Sequence, residues 1–156
     1  MPTILLETPI RALPEICYKL SLNVDLHKVI ASKTGEHVIG GVANGIMKLG
    51  DSVTWRAKHF GIWLTLTTKI TSAEPYVNFV DEMTQGTFKS MKHEHFFEQI
   101  GNGTLMKDVF KFESPCGLAG KFFNYLILEN YIREFLIERN QHIKQVAESN
   151  LRNRFL

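Results

Sequence analysis

The chain has 156 residues, 44% of them hydrophobic and 22% charged, with a formal net charge of +2. This is enough for one domain with its own core, in the ordinary globular range of composition. The charge is too small to imply a nucleic-acid partner.

Residues 3–10, TILLETPI, are short and apolar and end near Pro9, which predicts a first strand. The segments LPEICYKLS and VDLHKVIAS follow as two short helices. Pro14 suits a first helical turn, where a missing N–H costs nothing, and Asn23 suits a cap for the second helix. From about 36 to 113 the pattern becomes β-branched and aromatic, interrupted by turn signals at KLGD (48–51), AEP (73–75), QG (85–86) and GNG (101–103). Short turns pair successive strands antiparallel, so this stretch is expected to be a meander of about six strands. Pro115 and the glycines of ESPCGLAG break the ladder. A helix is then expected from about Leu118 to about Glu148, with Leu118, Phe122, Tyr125, Ile132, Leu136, Ile143 and Val146 at helical spacing. Its first half is apolar nearly all round, so it should be gripped on more than one side. The order strand, two helices, six strands, long helix predicts an α+β fold with a curved antiparallel sheet wrapped round the terminal helix. Residues 1–148 are expected to form the domain, and 149–156, with Arg152 and Arg154, a solvated tail.

Cys17 and Cys116 are far apart and in no CxxC spacing, which fits a reducing compartment. The N-terminal segment lacks a basic stretch followed by a long apolar run, so no signal peptide is expected, and no apolar run reaches membrane-spanning length. These readings predict a cytoplasmic protein.

The stretches VTWRAKHFGI (53–62), KIT (69–71), FVDEM (79–83), GTFK (86–89), HEHFF (93–97), GTLMKDVFKFESPCGLAG (103–120) and LIERN (136–140) carry a resemblance. The chain resembles the helix-grip superfamily that includes the birch-pollen-allergen fold, lipid-transfer START domains and polyketide cyclases. Within it the chain is similar to small bacterial SRPBCC proteins labelled cyclase/dehydrase or cell-division inhibitors. The resemblance spans about residues 3–148. It implies seven strands with two short helices between the first and second, and a cavity between sheet and long helix for a small hydrophobic molecule. It brings no catalytic set that can be transferred residue by residue.

Strand parity supplies the candidate lining. Trp55 and His59 share a face with Val53 and Ala57; Phe79 and Asp81 share one with Val77 and Met83. His93, His95 and Phe97 share a face with Met91, opposite Lys92, Glu94 and Glu98. Met106, Asp108 and Phe110 share one with Thr104 and Phe112, opposite Lys107, Lys111 and Glu113. Phe122 and Leu126 of the long helix complete the ligand-binding candidates. Four strands thus place His59, Asp81, His93 with His95, and Asp108 on mainly apolar faces. Buried ionisable groups must meet one another, water or a ligand. Three readings stand: a hydrogen-bonded core network, a polar patch orienting a ligand's carbonyl or hydroxyl, or an acid–base set of His93, His95 and Asp108 for a cyclisation or dehydration.

Gly86, His93, His95 and Glu98 come near a cupin metal motif, but the third histidine is missing and Glu98 falls on the opposite face. No metal and no cofactor are therefore expected. GEHVIGGVANG lacks the GK[ST] of a phosphate loop, Cys116 has a turn role, and Ser32, Ser72 and Ser90 lack a nucleophile-elbow context. Trp63 reads as a packing residue; His27, His37 and His142 read as exposed. The function expected is binding of a small hydrophobic or amphipathic molecule by a monomer or homodimer. The alternatives are a cyclase- or dehydratase-type enzyme and an interaction module with a vestigial pocket.

Overall fold

The computed structural model describes residues 1–114 and 127–156. Strand β1 (Thr3–Ile10) leads into helices α1 (Pro14–Ser21) and α2 (Val24–Ile30) and a short 3-10 turn (Ala31–Thr34). Six strands follow: β2 (His37–Gly41), β3 (Ser52–His59), β4 (Ile62–Glu74), β5 (Asn78–Gly86), β6 (Ser90–Ile100) and β7 (Gly103–Glu113). Helix α3 (Glu129–Ala147) and a second 3-10 segment (Asn150–Arg154) complete the described chain. The seven strands form one antiparallel sheet in the order β1-β7-β6-β5-β4-β3-β2. The α+β helix-grip expectation is met. The expected helical residues Leu118, Phe122, Tyr125 and Leu126, like Pro115 and Cys116, lie outside the described residues.

Local sequence explains the elements. Pro14 opens α1 after an extended Leu13, and Asn23 caps α2 by accepting the Leu26 N–H at 2.8 Å. The Asn23 amide also donates to the Phe155 carbonyl at 2.7 Å. The segment expected to be a solvated tail is thereby docked, with Phe155 packed on the core and Arg152 donating to the Ala147 carbonyl at 3.2 Å. One hairpin lies outside the four sequence signals. Phe60 (φ 51°) and Gly61 (φ 76°) close β3 onto β4, pairing His59 with Ile62. Two consecutive positive φ values are what a type I′ two-residue turn requires, and only the glycine advertises one. Val77, assigned inward by parity, is 47% exposed because β5 begins one residue later and alternation does not hold in the turn.

Burial along β6 and β7 alternates as expected. Thr104, Met106, Asp108, Phe110 and Phe112 are all buried, as are Met91, His93, His95 and Phe97. The apolar side chains separate into two clusters. One gathers Cys17, Leu20 and Leu26 with Phe97, Met106 and Ile143; the other gathers Ile4, Met91, Phe110, Phe112, Ile132 and Leu136. Side chains as fully enclosed as Phe112 and Met106 contribute about 1.5–3 kcal/mol each.

The edge hairpin β2–β3 depends on one glycine. Gly41 has φ 75°, and a Cβ there would lie 2.2 Å from the Ser52 carbonyl oxygen. Gly50 also has a positive φ (89°), but with open space around it. Gly41→Ala is expected to lower stability by at least about 2 kcal/mol and Gly50→Ala by only about 1 kcal/mol, because the first adds a backbone clash to the unfavourable dihedral. Urea unfolding of the two variants checks this; equal losses would show that β2 yields freely.

Candidate functional site

Between the two apolar clusters runs a band of polar side chains. On β6 the order is Met91, His93, His95, Phe97; on β7 it is Met106, Asp108, Phe110; on α3 it is Leu136, Arg139 with Asn140, Ile143. Each element passes from one cluster through the band to the other.

Asp108, 1% exposed, is the centre. Its Oδ1 lies 2.9 Å from His93 Nε2 and 3.4 Å from Arg139 Nη1, and its Oδ2 accepts from Asn140 Nδ2 at 2.6 Å. Asn140 donates onward to Thr8 Oγ1 of β1 at 3.3 Å and accepts from Arg139 Nη1 at 3.0 Å. His95, also 1% exposed, places Nε2 2.9 Å from Asp81 Oδ2 of β5. Its Nδ1 lies 3.0 Å from Asp108 Oδ1, too far off the bond direction for a hydrogen bond. The His93 and His95 rings sit 3.7 Å apart, and Phe79 stacks on His95 at 4.1 Å.

Burial is the largest single influence on Asp108 and works to raise its carboxyl. The His93 and His95 contacts outweigh it and hold the group well below the usual carboxylate range. For Asp81 the opposing influences are the same, burial first, and the His95 bond with the nearby His93 and Arg139 again leaves the carboxyl lowered. Burial, and then the neighbouring His95 ring, push His93 down to about 4, so its imidazole is neutral at pH 7.

Asp81, His93 and Arg139 form one part of the wall of a cavity of about 410 Å³ between the sheet and α3. Most of the wall is apolar, including Leu64 and Leu66 of β4 and Ile132 and Leu136 of α3. Trp55, His59 and Phe110 also border it, as parity indicated. His95 and Asp108 lie behind this wall. Phe79, Phe97 and Met106 are enclosed in the first apolar cluster, with Tyr18 of α1 edge-on to Phe79 and Phe97. Phe122 and Leu126 lie outside the described residues.

A second polar station faces the same cavity. His59 Nδ1 lies 2.6 Å from the Tyr131 hydroxyl, and His27 Nε2 lies 3.2 Å from Glu36 Oε1 while its ring rests 4.4 Å from Trp55. Burial lowers the His59 imidazole and raises the Tyr131 phenol. Tyr131 and Arg139 are eight residues apart on α3, about 12 Å along its axis at about 1.5 Å per residue. The expectation that His27 is exposed is corrected: it faces the cavity because α2 turns that side of the helix toward Trp55. His37 is exposed, as is Trp63, which lies beneath the Arg56 guanidinium at 5.4 Å.

Sequence reasoning missed Arg139, Asn140, Tyr131 and Glu36. A signal existed for Arg139, since it falls on the stripe Ile132, Leu136, Ile143 at helical spacing, where a charge is out of place. A more open depression of about 570 Å³ lies between Pro9–Arg11, Asn102–Thr104 and Lys144. The cavity under α3 is less open and gathers the buried histidines and carboxylates, and is therefore the better candidate site.

No family model matches the chain, and no curated protein matches it in sequence. Solved structures do match. TTHA0849 from Thermus thermophilus is 16% identical with a TM-score of 0.73, over 95% of this chain and 100% of that one. Major latex-like protein 151 from Panax ginseng is 15% identical with a TM-score of 0.69, over 95% and 98%. Ara h 8.0201 is 14% identical with a TM-score of 0.67, over 96% and 99%. At such identities the likeness shows the fold alone, the helix-grip fold of the birch-pollen-allergen type.

Removing Asp108 leaves the buried Arg139 and Asn140 donors without their acceptor. Asp108→Ala is expected to cost about 3–5 kcal/mol. Thr8→Val, which removes one long peripheral bond, should cost about 0.5–1.5 kcal/mol. Urea denaturation of both variants checks the ranking; a loss below about 1 kcal/mol for Asp108→Ala would mean the band is not structural.

Proposed function

We propose that the protein binds one small, elongated, mainly apolar and uncharged molecule in the cavity under α3, with an oxygen function toward each polar station. The observation that carries this reading is the cavity of about 410 Å³ whose mainly apolar wall is interrupted by Asp81, His93 and Arg139. That volume falls within the range of about 300–1,000 Å³ typical of small-molecule sites. The charge of the ligand follows from the wall. Asp81 and Asp108 outnumber Arg139 in formal charge, so an anion entering there would meet Asp81 with no spare cation. A hydroxyl or phenol can donate to Asp81, and a carbonyl can accept from Arg139, whose Nη1 alone is engaged among the described residues. His59 and Tyr131 offer a second donor–acceptor pair about 12 Å along the helix.

A second reading, acid–base catalysis in the same cavity, draws on the 2.9 Å contact between His93 and Asp108. The neutral imidazole borders the cavity while a carboxylate holds its other side, the arrangement of an oriented proton acceptor. Ligand recovered from purified protein separates the readings. Incubation returns it unchanged if the protein is a carrier, and with a water lost or a ring closed if it is an enzyme.

Leu66→Trp fills the cavity from β4 without touching the polar band. It is expected to abolish the thermal stabilisation given by neutral aromatic or polycyclic hydroxy-ketones and to leave the unliganded melting temperature within a few degrees. His59→Phe and Tyr131→Phe should each weaken binding of the same compounds about threefold to tenfold, the worth of one hydrogen bond. Fluorescence of Trp55, which borders the cavity, reports the titration. Retention of full affinity in Leu66→Trp would place the ligand elsewhere and end the proposal.

A further inference from the structure

We propose that Asp81, His93 and His95 form a binding site for one divalent transition-metal ion, with zinc as the reference ion. The site does not rest on the ligand reading, since the same three side chains would hold the ion whether or not the cavity takes a molecule. One ligand atom from each of the three lies within 4.8 Å of the others. Strand pairing builds the group: Asp81 of β5 stands directly opposite His93 of β6, and His95 follows on the same face. The Glu98 considered in the sequence lies on the outer face; the carboxylate comes instead from the neighbouring strand.

Three independent features fit an ion. The first is spacing. Two ligands about 2.0 Å from a tetrahedral ion lie about 3.3 Å apart. Asp81 Oδ2 and His95 Nε2 are 2.9 Å apart, so a small outward shift admits the ion.

The second is the support behind the ligands. A metal-ligating histidine ordinarily gives its other nitrogen to a carboxylate. His95 turns Nε2 to Asp81 and Nδ1 to Asp108, and Asp108 also holds His93. Among the described residues the buried Nδ1 of His95 has no hydrogen-bond partner, and a small rotation of the ring on coordination would align it with Asp108.

The third is charge. Two carboxylates, Asp81 and Asp108, converge on this group of histidines against the one guanidinium of Arg139, and the gap between Asp81 and His95 is where a cation would sit. Two imidazoles and one carboxylate favour zinc, iron or cobalt over magnesium or calcium, which prefer oxygen. Three protein ligands leave a further coordination position, and Asp81 and His93 border the cavity, so that position opens onto it.

The test is calorimetric titration of chelator-treated protein with zinc chloride, and the visible spectrum of the cobalt form. One ion per chain with a nitrogen-ligated cobalt spectrum is the result expected. Asp81→Asn, at a partly open position, should weaken zinc at least about tenfold, and Asp108→Asn, which loosens the histidines, about 10- to 100-fold. A variant with both His37→Gln and His142→Gln should bind as the parent does. Binding lost in that double variant, or equal in Asp81→Asn and parent, would reveal an adventitious ion only and overturn the site. If Asp81→Asn fails to fold, the parent decides: a cobalt spectrum without nitrogen ligation, or no uptake, means that a proton alone sits between Asp81 and His95.

Discussion

A carboxylate that has lost its water must be given donors, and in this molecule Asp108 imposes that demand on the whole chain. Its partners come from β6 and α3, and Asn140 passes the connection to β1. Apolar packing is non-directional and tolerates small rotations of a helix against a sheet. Hydrogen bonds of 2.6–2.9 Å do not. A one-residue slip of β6 would turn both histidines to the outside, and a rotation of α3 by one residue would carry Asn140 away from Asp108. The polar band therefore sets the register in which the two apolar clusters meet.

The band also accounts for the placement of the cavity. Side chains committed to one another cannot extend to fill neighbouring space. His93, Asp81 and Arg139 end as part of a wall while Leu64, Leu66, Ile132 and Leu136 supply the rest. A wall of this kind is already ordered before a ligand arrives. Binding then loses little side-chain entropy at the polar groups, which is where a flexible site would lose most.

Much of this was legible from alternation alone. Met91, His93, His95 and Phe97, and their counterparts on β7, are buried as their parity dictates, because both strands are long, regular and covered on one face. The contributions of α3 and of the 31–36 connection were harder to see. Arg139 was hidden by treating a charge as solvent-seeking, although its position on the stripe of Ile132, Leu136 and Ile143 contradicts that. Glu36 and Tyr131 depend on how the connection and the helix lie across the sheet, which no local pattern encodes. Parity placed Phe79, Phe97 and Met106 on the inner face, but it could not tell that face's cavity part from the part sealed by α1. Which inward residues meet a ligand is decided by where a helix covers the sheet, and alternation carries no information about that.

The run His93–Glu94–His95 shows what decides the chemistry of a titratable side chain here. Glu94 points outward and pairs with Lys92 at 3.2 Å and Lys111 at 3.3 Å. Water surrounds those partners, and pairs of this kind are worth about 0–1 kcal/mol. The residues on either side point inward, where the same type of contact costs about 3–5 kcal/mol to break because nothing replaces a lost partner. On both faces a carboxylate meets a nitrogen donor of a basic side chain, but only the outer pairs have water to replace a lost partner. Three consecutive residues of one strand thus divide into surface ion pairing and site chemistry by a single backbone period. A substitution that left the sequence polar but shifted that period would keep every charge and lose the site.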